Sequence, residues 1–203
     1  MVLQIGVLAL QGDFREHINT LNSFQDVEAR EVRTEGDLQG LDGLVIPGGE
    51  STAISKLATM FGIDTAIRNS IRAGMPVLGT CAGMIMLADD ILDPKSGQTS
   101  FGGLDISVRR NAFGRQVDSF ECDIQEHGFS SERLHATFIR APWVEKVGDK
   151  VQVLATIPTD SDQKRAVAVQ QGNVIATSFH PEISGEMQVH SYFLNVIRQA
   201  RST

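Results

Sequence analysis

The sequence lacks three features that would each place the chain in a specialised class. Basic residues are not in surplus: 18 lysines and arginines stand against 25 acidic residues, for a net charge of −7, which argues against nucleic acid and anionic lipid as partners. No apolar run approaches the roughly 18 residues of a membrane-spanning helix. Only two cysteines are present, too few for a disulfide framework. We therefore expect a cytoplasmic globular protein that binds neither nucleic acid nor membrane.

The 203 residues predict one domain, 1–203, because domains commonly hold about 150 residues. In the first half, short apolar runs alternate with segments of helical periodicity, as in parallel sheets covered on both faces. The predicted strands there are 5–10, 27–32, 44–46 and 75–80, and the predicted helices are 14–24, 51–61, 63–73 and 82–91.

The second half changes character and predicts antiparallel strands. Residues 120–124 and 151–157 alternate apolar and polar side chains, 166–169 and 174–179 flank a hairpin turn, and 187–200 have helical spacing. Residues 93–103 predict a surface loop, and Cys122 is expected in the core. The predicted fold class is therefore α/β, a mostly parallel doubly wound sheet with added antiparallel strands.

Residues 79–83, Gly-Thr-Cys-Ala-Gly, are the sharpest chemical feature of the sequence. They follow an apolar strand and open a helix, which is the context of a nucleophile elbow with cysteine in place of serine. A helix N-terminus favours the thiolate of Cys81, and the N–H of Ala82 can face a developing oxyanion. The alternative is a buried cysteine in a glycine-rich turn.

A cysteine nucleophile needs a base, and His180 is the best placed of the five histidines. It ends a predicted strand at the sheet edge where ligands bind in such folds. Pro181 biases it toward an extended conformation, in which Glu182 would project to the same side and orient the imidazole. A lone His-x-Glu is more often a plain strand end, so the pairing with Cys81 carries the hypothesis.

Residues 47–52, Pro-Gly-Gly-Glu-Ser-Thr, form a third strand-to-helix junction. Its glycines would let the backbone approach a ligand, while Ser51 could be both a helix N-cap and part of a site. The motif is not a phosphate-binding loop, because no Gly-Lys pair follows. Arg110 and Arg140 could each bind a carboxylate, although solvated arginines at strand ends are the plainer interpretation. No residues have the spacing of metal ligands, and no metal or cofactor is expected.

These three junctions together resemble the class I, triad-type glutamine amidotransferases. Further runs at 6–12, 15–17, 109–116 and 138–142 narrow the resemblance to the glutaminase subunits of pyridoxal 5′-phosphate synthase, over nearly the whole chain. The resemblance implies a class I glutamine amidotransferase-like fold and hydrolysis of L-glutamine through a γ-glutamyl thioester. It also implies a partner, a (β/α)₈-barrel synthase subunit that receives the ammonia in a hetero-oligomer.

The resemblance also implies roles for individual residues. Cys81 would be the nucleophile, His180 the base and Glu182 its orienting carboxylate, with oxyanion donors at Gly49 and Ala82. Gln11 would belong to an interface and activation element. The glutamine-binding positions would be Gly49, Glu50, Ser51, Arg110, Ile139 and Arg140.

Three alternatives stay open at the level of sequence. Another ammonia-donating glutaminase would share the triad but should lack the Arg-Arg-Asn-Ala-Phe-Gly-Arg-Gln run at 109–116. A cysteine peptidase on a similar fold would need a groove for a chain substrate, whereas two arginines suit a small amino-acid carboxylate. A non-catalytic domain that kept the fold is disfavoured by the intact Cys81, His180 and Glu182.

Overall fold

The computed structural model describes residues 2–110, 119–158 and 164–202. The strands are β1 Leu3–Leu8, β2 Val27–Val32, β3 Gly43–Ile46, β4 Val77–Thr80, β5 Ala88–Ile91, β6 Leu104–Arg109, β7 Ser119–Ile124, β8 Leu134–Ile139, β9 Trp143–Val147, β10 Gln152–Pro158, β11 Lys164–Gln171 and β12 Val174–Thr177. The helices are α1 Phe14–Asn22, α2 Ser51–Met60, α3 Asp64–Arg72, α4 Ala82–Leu87, α5 Pro181–Ser184 and α6 Gln188–Ala200.

A central seven-stranded sheet organises the described part of the chain, in the order β10-β11-β12-β4-β3-β1-β2. The five strands from β12 to β2 run parallel, and β10, β11 and β12 are joined antiparallel. The hairpin predicted between 166–169 and 174–179 is therefore present as β11 and β12. This architecture confirms the predicted α/β class, a mostly parallel sheet with added antiparallel strands.

The sheet carries an apolar cluster on each face because its short central strands are buried on both sides. Along β3 and β4, Val45 and Leu78 point into one cluster, whereas Leu44, Ile46 and Val77 point into the other. The first cluster includes residues of α1 and α6, and the second includes residues of α2, α3 and α4. Alternation of side chains along a strand produces this division.

The helix predicted over 82–91 is wrong in its second half. The helix α4 ends at Leu87, and Ala88–Ile91 forms β5, which pairs in parallel with β6. The partner strand lies more than a dozen residues away along the chain, and the side chain of Asp89 accepts a hydrogen bond from the N–H of Gly103. Non-local pairing of this kind overrides local helical propensity.

Smaller sheets and loops complete the fold. The strands β5, β6 and β9 form a three-stranded sheet, and β7 and β8 form a two-stranded ribbon. Cys122, expected in the core, is only half-buried on β7, where it packs against the edge of an apolar cluster. The loop predicted at 93–103 is present, but it buries Gln98 and Phe101. Among the described residues, no helix has the length and apolar character that crossing a membrane requires.

Candidate active site

Cys81 occupies the sharp turn between β4 and α4. Its backbone has φ 47° and ψ −101°, a conformation that residues with a side chain rarely adopt. The flanking glycines are required, because a Cβ on Gly79 would lie 2.7 Å from the backbone of Gly83, and a Cβ on Gly83 would collide with the carbonyl oxygen of Ile46. The geometry is that of a nucleophile elbow.

His180 reaches the same place because its strand is the neighbour of β4. The strands β12 and β4 run parallel, with Thr177 opposite Thr80, so the residues that follow them leave the sheet at one edge. The Cys81 thiol donates to the carbonyl of Ile139 at 3.7 Å, and its interaction with the His180 side chain raises the pKa of that imidazole. Both residues are buried, at 3% and 6% exposure. The topology thus joins two residues that are 99 positions apart in sequence.

Glu182 contacts the other side of the imidazole, with 2.7 Å between His180 Nδ1 and Glu182 Oε1. The extended conformation proposed for this contact is wrong: residues 181–184 form the short helix α5, and His180 is its N-cap. The carboxylate reaches back from the first turn of that helix, where proline is favoured because it lacks an N–H. Glu182 is 7% exposed and lies behind His180.

The surroundings of His180 favour its imidazolium form. Burial lowers the pKa of His180, but hydrogen bonds and charge attraction from Cys81 and Glu182 outweigh burial and raise its pKa to about 10. Burial raises the pKa of Glu182 above its ordinary value, against the lowering effect of the bond from His180. An imidazolium beside Cys81 stabilises a thiolate, the reactive form of cysteine.

Sequence reasoning did not find Asp13, whose Oδ2 lies 3.5 Å from His180 Nδ1. Burial raises the pKa of Asp13, while His180 lowers it. Asp13, His180 and Glu182 bring one potential metal-ligand atom each within 4.8 Å of one another, and here the carboxylate oxygens flank the imidazole nitrogen. No sequence motif predicts a role for Asp13, because it lies in the turn before α1.

The Gly48-Gly49 turn closes one side of the site. A Cβ on Gly48 would collide with the His180 ring, and Gly49 has φ 148°. The turn is held from the first βα junction: the N–H of Asp13 donates to the carbonyl of Gly48 at 3.1 Å, and the N–H of Glu50 donates to Gln11 Oε1 at 2.6 Å. Gln11 therefore touches the turn that carries a predicted oxyanion donor.

A cavity of about 500 Å³ opens beside Cys81. With the exception of Glu182, every residue predicted for the site lines it, together with Asp13, Ile85 and Ile183. The predicted members are Gln11, Gly49, Glu50, Ser51, Cys81, Ala82, Arg110, Ile139, Arg140 and His180. A space of this size bordered by arginine and carboxylate side chains suits a small zwitterion.

Gln98 anchors the polar end of this cavity and was also missed by sequence reasoning. Its Oε1 accepts from Arg110 Nη1 at 2.8 Å, and its Nε2 donates to Ser51 Oγ at 2.9 Å. Arg110 Nη2 also donates to Glu50 Oε1 at 3.3 Å. The N-cap of α2 is Glu50, whose carboxylate accepts from the N–H groups of Thr52 and Ala53, so the cap predicted for Ser51 is wrong. Residues 111–116 of the run quoted above lie outside the described residues.

The arrangement is equipped for acyl transfer from an amide. It holds a cysteine on a strained turn, a hydrogen-bonded imidazole and a carboxylate that orients it, which together form a nucleophile–base–orienter set. Ala82 and Gly49, the predicted oxyanion donors, line the same cavity.

Comparison with known proteins agrees with this geometry. The model of the SNO glutamine amidotransferase family matches residues 7–199. Two curated relatives carry the name pyridoxal 5′-phosphate synthase subunit PdxT. The protein from Streptomyces avermitilis is 56% identical over 198 residues, covering 98% of this chain and 96% of that protein. The protein from Nocardia farcinica is 54% identical over 196 residues, covering 97% and 86%.

Solved structures give the same result at the level of the fold. A crystal structure described as a glutamine amidotransferase is 46% identical, has a TM-score of 0.85 and covers 95% of this chain and 98% of its own. The structure of PurLQS from Thermotoga maritima, at 19% identity and a TM-score of 0.69, covers 96% and 99% and shares the fold alone. The family match over nearly the whole chain, with relatives above half identity, shows that the chain belongs to the SNO glutamine amidotransferase family.

Proposed function

We propose that the chain hydrolyses L-glutamine and supplies the ammonia to a pyridoxal 5′-phosphate synthase subunit. One observation carries the proposal: Cys81, His180 and Glu182 form a connected buried line that ends at a cavity bordered by Arg110 and Glu50. The relatives named PdxT support the same assignment and favour it over other ammonia-donating glutaminases. The limited cavity also favours glutamine over a peptide chain.

The reaction begins when the Cys81 thiolate attacks the side-chain amide carbon of glutamine. The new oxyanion is stabilised by the N–H groups of Ala82 and Gly49. His180, protonated by the thiol, gives its proton to the leaving nitrogen. The C–N bond of the tetrahedral intermediate then breaks, ammonia departs, and the γ-glutamyl thioester remains. His180 then accepts a proton from water, whose oxygen attacks the thioester and releases glutamate and the Cys81 thiol.

Recognition of glutamine is assigned to the opposite end of the cavity. Arg110 and Arg140 provide guanidinium groups for the α-carboxylate, and Glu50 provides a carboxylate for the α-ammonium group. Gly49, Ser51 and Ile139 complete the binding surface; each of them lines the cavity. No residue in this set binds a metal or cofactor in the proposed reaction.

The partner is proposed to be a (β/α)₈-barrel subunit of pyridoxal 5′-phosphate synthase, called the synthase subunit below. Docking would complete the oxyanion site through the Gly49 turn, which Gln11 holds by its bond to Glu50. We further propose that residues 1–203 form one glutaminase domain and that the complex works in the cytoplasm. Two free cysteines are consistent with a reducing compartment.

The test measures glutamate released from L-glutamine with and without the synthase subunit from the same source. We expect slow release by the chain alone, faster release with the synthase subunit, and none in Cys81→Ala. Glutamate release at the same rate with and without the synthase subunit would support the glutaminase activity and contradict the proposed partner. Absence of release from the wild type in both mixtures would reject the glutaminase itself.

A further inference from the structure

Three fully buried polar side chains that the proposed reaction does not use lie behind the triad. His17 Nε2 is 3.4 Å from Glu182 Oε2 and 3.0 Å from Thr80 Oγ1. His17 Nδ1 is 2.9 Å from His190 Nε2. His17, Thr80 and His190 each have 0% exposure. A continuous chain of polar contacts therefore runs from Cys81 through His180, Glu182 and His17 to His190.

This chain is assembled from elements on one face of the sheet. His17 comes from α1 and His190 from α6, and the surrounding apolar cluster includes Leu21, Phe193 and Phe179. Buried imidazoles cost free energy unless their nitrogens are hydrogen-bonded. Two apolar side chains would fill this position without that cost. The presence of two histidines therefore indicates that their hydrogen-bonding groups have a role.

Both histidines are neutral at neutral pH. Burial lowers the pKa of His17 well below 6.5, and His190 and His180 lower it further. Burial also lowers the pKa of His190 to about 4. Each ring therefore carries a single N–H group. Neutral His17 adds no second positive charge beside the His180 imidazolium.

The neighbours of His17 indicate which nitrogen carries its proton. Thr80 Oγ1 and the ionised Glu182 Oε2 can both accept a hydrogen bond at Nε2. With the proton on Nε2, Nδ1 accepts from Nε2–H of His190, so each contact of the His17 ring pairs a donor with an acceptor. Among the described residues, His190 Nδ1 is then a buried acceptor without a hydrogen-bond partner. Within the described residues, Glu182 Oε2 is buried without a hydrogen-bond partner, and His17 Nε2 lies within ion-pair distance of it.

We propose that His17 is a positioning residue for the triad, whose Nε2–H, held in that tautomer by His190, keeps the Glu182 carboxylate ionised and directed at His180. The inference rests on the proposed function of the triad. The other charged groups around this carboxylate are His180 and Asp13: the first stabilises its charge and the second opposes it. His17 supplies a stabilising contact on the oxygen that His180 does not touch.

The test compares His17→Leu with His17→Gln, whose amide nitrogen can replace Nε2 as a donor. Both are made in a Cys122→Ala background, so that Cys81 is the single thiol in the chain. The first measurement is the rate of Cys81 alkylation by iodoacetamide between about pH 5 and about pH 9, which needs neither glutamine nor partner. The second is kcat and KM for glutamate release with the synthase subunit present.

In His17→Leu, we expect half-maximal alkylation to move about one pH unit higher, because a weakened Glu182 charge stabilises the thiolate–imidazolium pair less. We expect kcat to fall about 10- to 100-fold, by analogy with the outer-shell partners that orient metal-ligating histidines, with KM changed less than about twofold. His17→Gln should recover most of both losses. A purely structural role would not move the alkylation profile.

An unchanged alkylation profile and kcat in His17→Leu would overturn the proposal, as would a folded His17→Gln that is no better than His17→Leu. If His17→Leu does not fold, His190→Leu takes its place. It should shift the profile in the same direction by less, and wild-type behaviour there would also reject the inference. Absence of glutamate release by the Cys122→Ala parent would count against the proposed function, while alkylation still tests His17.

Discussion

Two residues other than glycine have positive φ among the described residues, Cys81 at 47° and Arg140 at 45°, and both line the same cavity. Such conformations cost about 1–3 kcal/mol each and persist where the surrounding structure determines them. At Cys81, the bond from its N–H to the Thr177 carbonyl, at 2.8 Å, holds the turn. Backbone strain is therefore concentrated where the proposed chemistry takes place.

His190 predicts a loss of stability in acid. Its pKa falls from 6.5 to about 4 on folding because of burial, so the unfolded state binds more protons between these values. The stability that depends on neutral His190 is complete above about pH 6.5 and is lost as the pH falls toward 4. This loss amounts to roughly 3 kcal/mol. As the pH decreases over this interval, we expect the free energy of unfolding to fall less in His190→Leu than in the wild type.

The measurement is urea unfolding at several pH values across that window. The two proteins are compared by the slope of the free energy of unfolding against pH and not by their absolute stability. His17, whose pKa is also lowered, contributes in the same direction in both proteins and leaves a residual slope. The raised pKa of His180 acts between about 6.5 and 10, outside the window. Equal slopes for the two proteins would contradict the assignment to His190.

At the scale of elements, the loop at 93–103 is part of the site through one buried side chain. Most of its residues are exposed, as predicted, but Gln98 is 9% exposed and binds both Arg110 and Ser51. A hydrogen bond to a charged group contributes more than one between neutral groups. Gln98 therefore fixes the Arg110 guanidinium, which by itself is a long and flexible side chain.

We expect Gln98→Ala to raise KM for glutamine about tenfold, with a smaller change in kcat, because Arg110 loses its orientation while the triad is untouched. Steady-state glutamate release with the synthase subunit measures both constants. Lys95→Ala, at an exposed position of the same loop, is the matched control and should behave as the wild type. A Gln98→Ala variant with an unchanged KM would show that Arg110 does not bind the substrate in this orientation.

At the scale of the whole molecule, the carboxyl ends of β1, β3, β4 and β12 meet at one edge of the sheet. The segments that follow these strands carry Gln11, the Gly48-Gly49 turn, Cys81 and His180. Because the strands are parallel neighbours, their exit loops are adjacent, as in open α/β sheets generally. A partner that docks at this edge would meet the Gln11 contact and the Gly48-Gly49 turn together.

We expect Gln11→Ala to reduce the stimulation by the synthase subunit about tenfold while changing the slow rate of the isolated chain much less. The reason is that Gln11 joins the first βα loop to the N–H of Glu50, beside the proposed oxyanion donor of Gly49. Glutaminase rates with and without the synthase subunit measure the ratio. Gln152→Ala, exposed on the edge strand β10, is the control, and full stimulation of Gln11→Ala would contradict the role.

Most of the sheet could be predicted because buried parallel strands are short apolar runs bounded by glycine, proline or a helix start. The strand β5 could not, since Ala88–Ile91 has no local strand signal and is extended only through its pairing with β6. The position of Glu182 was predicted for the wrong reason. An extended chain and the first helical turn both bring residue i+2 near His180, and local sequence does not separate them.

The sequence by itself determined the nucleophile turn, the glycine turn and the family, because these depend on residue types at fixed local spacing and on similarity along the chain. Tertiary structure decided which side chains from distant segments of the chain meet. Asp13, Gln98 and the His17–His190 pair became visible only when α1, α6 and the 93–103 loop were packed around the strand ends. Contacts between distant segments follow from the pairing and packing of whole elements, which no local pattern of residues encodes.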